Sequence, residues 1–284
     1  MFGGGLTLFH FENSRLLARI IEYVLKGSGL YWRGCKNAER IEVRRNRVSA
    51  PELPAAFAGF TILHLSDLHC DMSERAMARL AAMLPGLKYD ICVLTGDFRG
   101  ATYGPFESAM ATIAQLKTLI PGPVYGVLGN HDSVRMLRRL EQMDIRMLMN
   151  EAVTVERGGD RIHIAGIDDA HFYRTDNIEK AAADIPREEF SILLSHTPEI
   201  YRLAAHVGFS LILSGHTHGG QICLPGGIPV TLSSKLPRRL GAGAWRHRTM
   251  QGYTSVGAGT VAVPARVNCA PEITLHALRA SEEE

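Results

Sequence analysis

From Gly59 onward the chain repeats one pattern, a run of four to six apolar residues followed abruptly by a polar cluster. Residues 60–65 run into Ser66-Asp67-Leu68-His69, and residues 91–94 into Thr95-Gly96-Asp97. Residues 124–128 run into Gly129-Asn130-His131-Asp132, and 191–194 into Ser195-His196. Residues 209–213 run into Ser214-Gly215-His216-Thr217-His218. Short runs of Ile, Val and Leu bounded by glycine or polar residues predict buried strands. Between them, residues 73–84, 106–118 and 133–143 read as helices, and this alternation predicts a layered α/β fold. The second half adds strand candidates at 153–156, 161–167, 252–256 and 273–277. Two mixed sheets packed face to face, with helices outside, would use every segment.

Residues 1–58 precede this pattern. After Asn13-Ser14, a candidate N-cap, Leu16, Leu17, Ile20, Ile21, Val24 and Leu25 recur at helical spacing. Arg15, Arg19, Glu22 and Lys26 take the other face, and Gly27-Ser28-Gly29 ends the helix before Leu30, Tyr31, Trp32, Arg33 and Lys36. Such a helix either packs on its own domain or lies in a bilayer surface as an interfacial anchor. A short strand at 40–48 and the linker Ala50-Pro51-Glu52-Leu53-Pro54 follow. The expected division is therefore a preamble at 1–58 and one domain at 59–284.

With 284 residues, 46% apolar and 21% charged, the chain can bury a large core without staples. Its net charge of +2 argues against a general polyanion binder, so no nucleic-acid partner is expected. Five scattered cysteines contain no CxxC pair, which fits a reducing compartment. No run is long enough to span a membrane, and the N-terminus lacks the features of a secretory signal. The expected location is the cytoplasm, with peripheral contact at the inner membrane surface as an added option.

The chemistry lies at the strand ends. Asp67, His69, Asp97, Asn130, His131, His196, His216 and His218 all fall just beyond apolar runs, where α/β folds gather functional groups. Carboxylate, imidazole and amide donors without thiolate suit Mn, Fe or Zn. Eight such groups exceed the needs of one ion and match a two-metal site for phosphoryl chemistry. In Asp67-Leu68-His69 and His216-Thr217-His218, spacing by two would place both donors on one side of an extended segment. His10, His163, His171, His206 and His276 lack motif context and read as core or surface residues, while His64, alternating within a strand, reads as core or as a support behind the site. Asp168-Asp169 reads as a turn, with support of the site as the alternative.

These blocks, Asp67-x-His69, Gly96-Asp97, Gly129-Asn130-His131-Asp132, His196 and Gly215-His216-x-His218, resemble the signatures of calcineurin-like metallophosphoesterases. The resemblance implies a four-layer α/β/β/α sandwich and two divalent metal ions. It implies that Asp67, His69 and His218 bind one ion and that Asn130, His196 and His216 bind the other, with Asp97 bridging. His131 would act on the scissile phosphate, oriented by Asp132, and Arg99 is open to a supporting role. The flanking Gly219-Gly220-Gln221 with Leu224-Pro225, Ala165-Gly166-Ile167-Asp168-Asp169, and Val263-Pro264-Ala265-Arg266 are similar to a bacterial, often membrane-associated branch. That branch includes a UDP-2,3-diacylglucosamine hydrolase.

Residues 226–247 carry Lys235, Arg238, Arg239, Arg246 and His247 beside Leu232, Leu236, Leu240 and Trp245. They read either as a solvated loop or as a lid, in which Arg238 and Arg239 bind an anionic substrate and the apolar residues meet acyl chains or bilayer. The expected reaction is hydrolysis of a phosphoester or pyrophosphate, on a phosphorylated small molecule or a lipid-linked nucleotide such as UDP-2,3-diacylglucosamine. The alternative is a soluble substrate, such as a cyclic nucleotide or phosphoprotein. A non-catalytic scaffold would be expected to have lost ligands, and none is missing.

Overall fold

The short apolar runs are strands, and in the computed structural model, which describes residues 15–280, they sort into two large sheets. Asn13-Ser14, His10 and the terminal glutamates lie outside the described residues. The first sheet holds β1 (Glu42–Ala50), β2 (Thr61–Leu65), β3 (Ile91–Leu94), β4 (Val124–Gly126), β5 (Ile145–Met147) and β14 (Glu272–Ala280). Their order is β1-β14-β2-β3-β4-β5. Strands β2 to β5 run parallel, while β14 lies antiparallel to β2 and parallel to β1.

The second sheet holds β6 (Glu151–Arg157), β7 (Asp160–Gly166), β8 (Ser191–Leu194), β9 (Leu211–Ser214), β12 (Gly243–His247) and β13 (Met250–Thr254). Their order is β12-β13-β9-β8-β7-β6, parallel in the middle with an antiparallel strand at each edge. A two-stranded hairpin, β10 (Cys223–Leu224) with β11 (Ile228–Pro229), stands apart.

Alternation along each strand builds the layers, because successive side chains point to opposite faces. Ile62, Ile91 and Val93 meet Ile192, Leu194, Leu211 and Leu213 between the sheets. Leu63, Leu65, Cys92 and Leu94 turn outward against α3 (Glu74–Met83), α4 (Glu107–Lys117) and α5 (Leu137–Glu141). Leu193 and Ile212 turn the other way, against α6 (Ile178–Ala182) and α7 (Tyr201–Val207). The result is the four-layer α/β/β/α sandwich, and the carboxyl ends of β2, β3, β4, β8 and β9 open onto one edge.

Three details depart from the sequence pattern. Strand β1, counted with the 1–58 preamble, pairs with β14 along nine residues and is part of the first sheet. The apolar stripe of α1 (Arg15–Gly27) splits between two faces. Ile21 and Leu25 pack on Val263, Ala265 and Val267, together with Tyr31 and Cys35 of α2 (Leu30–Ala38), a helix that the pattern did not predict. Leu16, Ile20, Tyr23 and Val24 face solvent, as does Trp32.

The last five residues of the expected 226–247 lid form strand β12 instead, with Trp245 and His247 alternating against exposed Ala244 and Arg246. Leu236, Leu240 and Trp245 pack into the outer core of the second sheet, so they offer no apolar face to acyl chains. Among the described residues, no helix is long and apolar enough to cross a membrane.

Candidate metal centre

Each strand ending at the open edge hands its next residues to one buried pocket. Asp67, His69, Asp97, Asn130, His131, Asp132, His196, His216 and His218 are all buried there, although they span 152 positions of sequence. Asp67, His69 and His218 offer ligand atoms within 4.8 Å of one another, and so do Asp67, Asp97 and His196. His196 Nε2 and His216 Nδ1 converge on Asn130 Oδ1 at 2.9 and 2.8 Å. Asp97 Oδ2 stands 3.3 Å from His196 Nε2 and 3.7 Å from His69 Nε2, between the two sets.

The local backbone is unusual. Asp67, His69, Asp97, His216 and His218 all have positive φ, between 41° and 71°. The i, i+2 pairs therefore converge through left-handed turns and not through the extended segments that the spacing suggested. Asp and His tolerate this region better than most residues, though each such residue still costs about 1–3 kcal/mol. The turns are pinned by Asp67 N–H on Gly96 O and His69 N–H on Asp97 O, both at 3.0 Å. Gly215 is required by a close approach, because a Cβ there would strike Ser66 Oγ and Asp67 Oδ2. Gly215→Ala is expected to lower stability by about 1–3 kcal/mol and to weaken metal binding, read by thermal unfolding and metal titration.

The chemistry of the donors fits divalent metal. His69 Nδ1 donates to Arg99 O at 2.9 Å, His196 Nδ1 to Thr95 O at 2.7 Å, and His216 Nε2 to Ser233 O at 2.8 Å. Carbonyls only accept, so each ring has a proton on its outer nitrogen and, in the neutral form that binds metal, would turn a lone pair into the pocket. His218 differs, since its Nδ1 faces Arg266 Nη2 at 3.2 Å and its Nε2 lies 3.0 Å from His69 Nε2.

Burial and the charge of Asp97 push the carboxyl of Asp67 up to about 6 and that of Asp132 up to about 7. Burial would raise Asp97 too, but His196, His131 and His69 hold it well below the usual carboxylate range. Packed carboxylates that raise one another need positive charge, which cations supply.

The supporting residues add detail to two readings. Asp132 accepts backbone N–H bonds from Asp97 (2.8 Å), Phe98 (2.9 Å) and Gly129 (2.9 Å), so it braces the loops that carry Asp97 and Asn130. The ring of His131, which Asp132 was expected to orient, meets Thr102 Oγ1 at 3.2 Å from Nδ1. His171, read as core or surface, lies with its ring 4.3 Å from that of His216.

Motif reading missed Glu199. Its carboxylate accepts from His171 Nδ1 (2.9 Å), Ser234 Oγ (2.7 Å) and Lys235 N (2.9 Å), tying the segment beyond β11 to the pocket. Burial would raise Glu199, yet the bonds from His171, Lys235 and Ser234 carry it down to about 2. Arg99 and Arg266 are buried and donate to loop carbonyls, Arg99 to those of His131, Gly104 and Thr102, and Arg266 to those of Val256, Gly257 and Gly259. The sequence left Arg99 open to such a supporting role, whereas the position of Arg266 gave no signal of it. Arg238 and Arg239 are exposed on the turn Arg238–Leu240.

Comparison with known proteins agrees with this geometry. The chain is 32% identical over 256 residues to the uncharacterized metallophosphoesterase YkoQ of Bacillus subtilis, covering 84% of this chain and 92% of that one. It is 30% identical over 279 residues to a Danio rerio transmembrane protein with metallophosphoesterase domain, covering 91% of this chain but only 61% of that protein. It is 26% identical over 232 residues to the phosphodiesterase YaeI of Escherichia coli, covering 77% and 82%. The calcineurin-like phosphoesterase family matches residues 60–220, the stretch that supplies all nine buried site residues. The chain belongs to the calcineurin-like phosphoesterase family and is a metal-dependent phosphoester hydrolase.

Proposed function

We propose that this chain hydrolyses a phosphodiester or pyrophosphate bond, with a lipid-linked nucleotide such as UDP-2,3-diacylglucosamine as its substrate class. Asp67, His69 and His218 would hold one divalent ion, Asn130, His196 and His216 a second, and Asp97 both. The observation that carries this reading is the fixed orientation of three imidazoles, each with its outer nitrogen donating to a carbonyl and its inner nitrogen turned to the pocket. Manganese, iron and zinc all suit these oxygen and nitrogen donors.

When bound, such a pair of ions supplies charge stabilisation and lowers the pKa of water to roughly 7. His131 adds the proton. Thr102 Oγ1 can donate to its Nδ1, which leaves a proton on Nε2, the nitrogen 4.0 Å from Asp97 Oδ2. From there it can pass to a leaving oxygen. Asp132 keeps the Asp97 and Asn130 loops in register through its three backbone bonds.

A lipid surface is supported by exposed Leu16, Ile20, Tyr23, Val24 and Trp32, joined by exposed Leu224, Ile228 and Val230 near the pocket's outer segment. The name of the Danio rerio relative is in keeping with this, and that of the Escherichia coli relative with a diester. A soluble substrate is the second reading. It is favoured by the packing of Leu236, Leu240 and Trp245 into the core, which leaves Arg238 and Arg239 without an apolar partner surface there.

One panel separates the two readings. Purified protein with Mn²⁺ is given UDP-2,3-diacylglucosamine, cyclic nucleotides, an aryl phosphodiester and an aryl phosphomonoester, each with and without anionic vesicles. Turnover of the lipid-linked pyrophosphate that rises with vesicles is the expected result. Faster turnover of a cyclic nucleotide, indifferent to vesicles, would establish the soluble reading.

A further inference from the structure

Two buried histidines are left over from the site. His64 and His276 are fully enclosed between the sheets, both edge-on to the ring of Tyr253. Burial lowers His64 to about 3 and holds His276 well below the usual imidazole range, so both rings are neutral and each has one proton.

They sit in a continuous line of hydrogen bonds. Asn46 Nδ2 is 3.0 Å from His276 Nδ1, and His276 Nε2 is 3.3 Å from His64 Nδ1. His64 Nε2 is 2.8 Å from Thr95 Oγ1, Thr95 Oγ1 donates to Ser66 Oγ at 2.7 Å, and Ser66 Oγ donates to Asp67 Oδ2 at 2.6 Å. The ends settle the direction of the whole line. An amide nitrogen at Asn46 can only donate, and at the other end the Ser66 hydroxyl donates to Asp67 Oδ2. Every hydrogen between them therefore points inward, with both histidines protonated on Nε2. Aligned bonds in a low-dielectric interior polarise one another.

We propose that this line is a positioning device for the metal ligand Asp67. The His216 backbone N–H lies 3.0 Å from Oδ1 and 3.1 Å from Oδ2, and the line adds the Ser66 hydroxyl to Oδ2 alone, so Oδ1, 3.4 Å from His218 Nε2, is the oxygen with a lone pair left to present to metal. His64, Thr95 and His276 are positioning residues that act through Ser66, and they touch no substrate. The inference rests on Asp67 as a metal ligand, and it extends the site across the first sheet to β1.

Two measurements test it. Nitrogen-15 NMR of the metal-free wild-type protein should show His64 and His276 both protonated on Nε2. Either ring protonated on Nδ1 would overturn the direction and with it the proposal. Titration with Mn²⁺ should show Thr95→Val, an isosteric loss of one hydroxyl, weakening binding roughly 10- to 100-fold, the range for groups that orient metal ligands. His64→Phe should do the same, and the double variant should be no worse than either single one, because one broken link severs the line.

Unchanged affinity in Thr95→Val, or fully additive losses, would overturn the proposal. If wild-type protein bound no Mn²⁺ at all, the metal reading would fail instead, while the NMR result would still decide whether the line exists. The NMR result and Thr95→Val also stand if His64→Phe does not fold.

Discussion

Asp97→Asn protein folds, binds little or no divalent metal and loses turnover by on the order of 10³-fold or more, the several kcal/mol that bound metal supplies. Asn is the instructive substitution because Asp97 has a φ of 56°, a conformation Asn tolerates and Ala does not. The amide oxygen can still accept the His131 N–H that now meets Asp97 Oδ1 at 2.9 Å. What disappears is the charge 3.3 Å from His196 Nε2 and 3.7 Å from His69 Nε2. Elemental analysis beside thermal unfolding checks this. Full metal content with wild-type turnover would remove Asp97 from the centre of the site.

His131→Ala should give the opposite separation. His131 Nε2 lies 4.0 Å from Asp97 Oδ2, yet His131 belongs to neither cluster of converging ligand atoms. Metal content should stay at the wild-type level while kcat falls roughly 10²- to 10⁴-fold, the usual contribution of a positioned acid or base. The loss should be smaller for substrates with better leaving groups, because those need less protonation. A metal-loaded variant at full rate, or one that has lost its metal, would assign His131 a different task.

Much of the site was legible in the chain because its signals are local. Apolar runs too short for helices had to be strands, and metal-ligating residue types at their ends had to share an edge once those strands lay parallel. Asp67, Asp97, Asn130, His196 and His216 were visible for that reason. Residue type could not reveal what a side chain would be occupied with. Asp132 follows His131 directly, yet its carboxylate accepts three backbone N–H groups, two of them more than 30 positions upstream. Glu199 and His171 had no motif, and only the return of the segment at 233–235 gives them a purpose. Leu236, Leu240 and Trp245 were apolar enough for a membrane, but the edge of the second sheet took them up.

The chain by itself determined the strand-and-helix order, the donor types and hence the class of metal and reaction, all properties of short stretches and side-chain chemistry. Tertiary structure decided the hydrogen-bond directions, the left-handed turns that converge the ligands, and the pairing that sets Asn46 beside His276 across 230 positions. Those features depend on sheet register and burial, which arise only when distant segments share one low-dielectric interior.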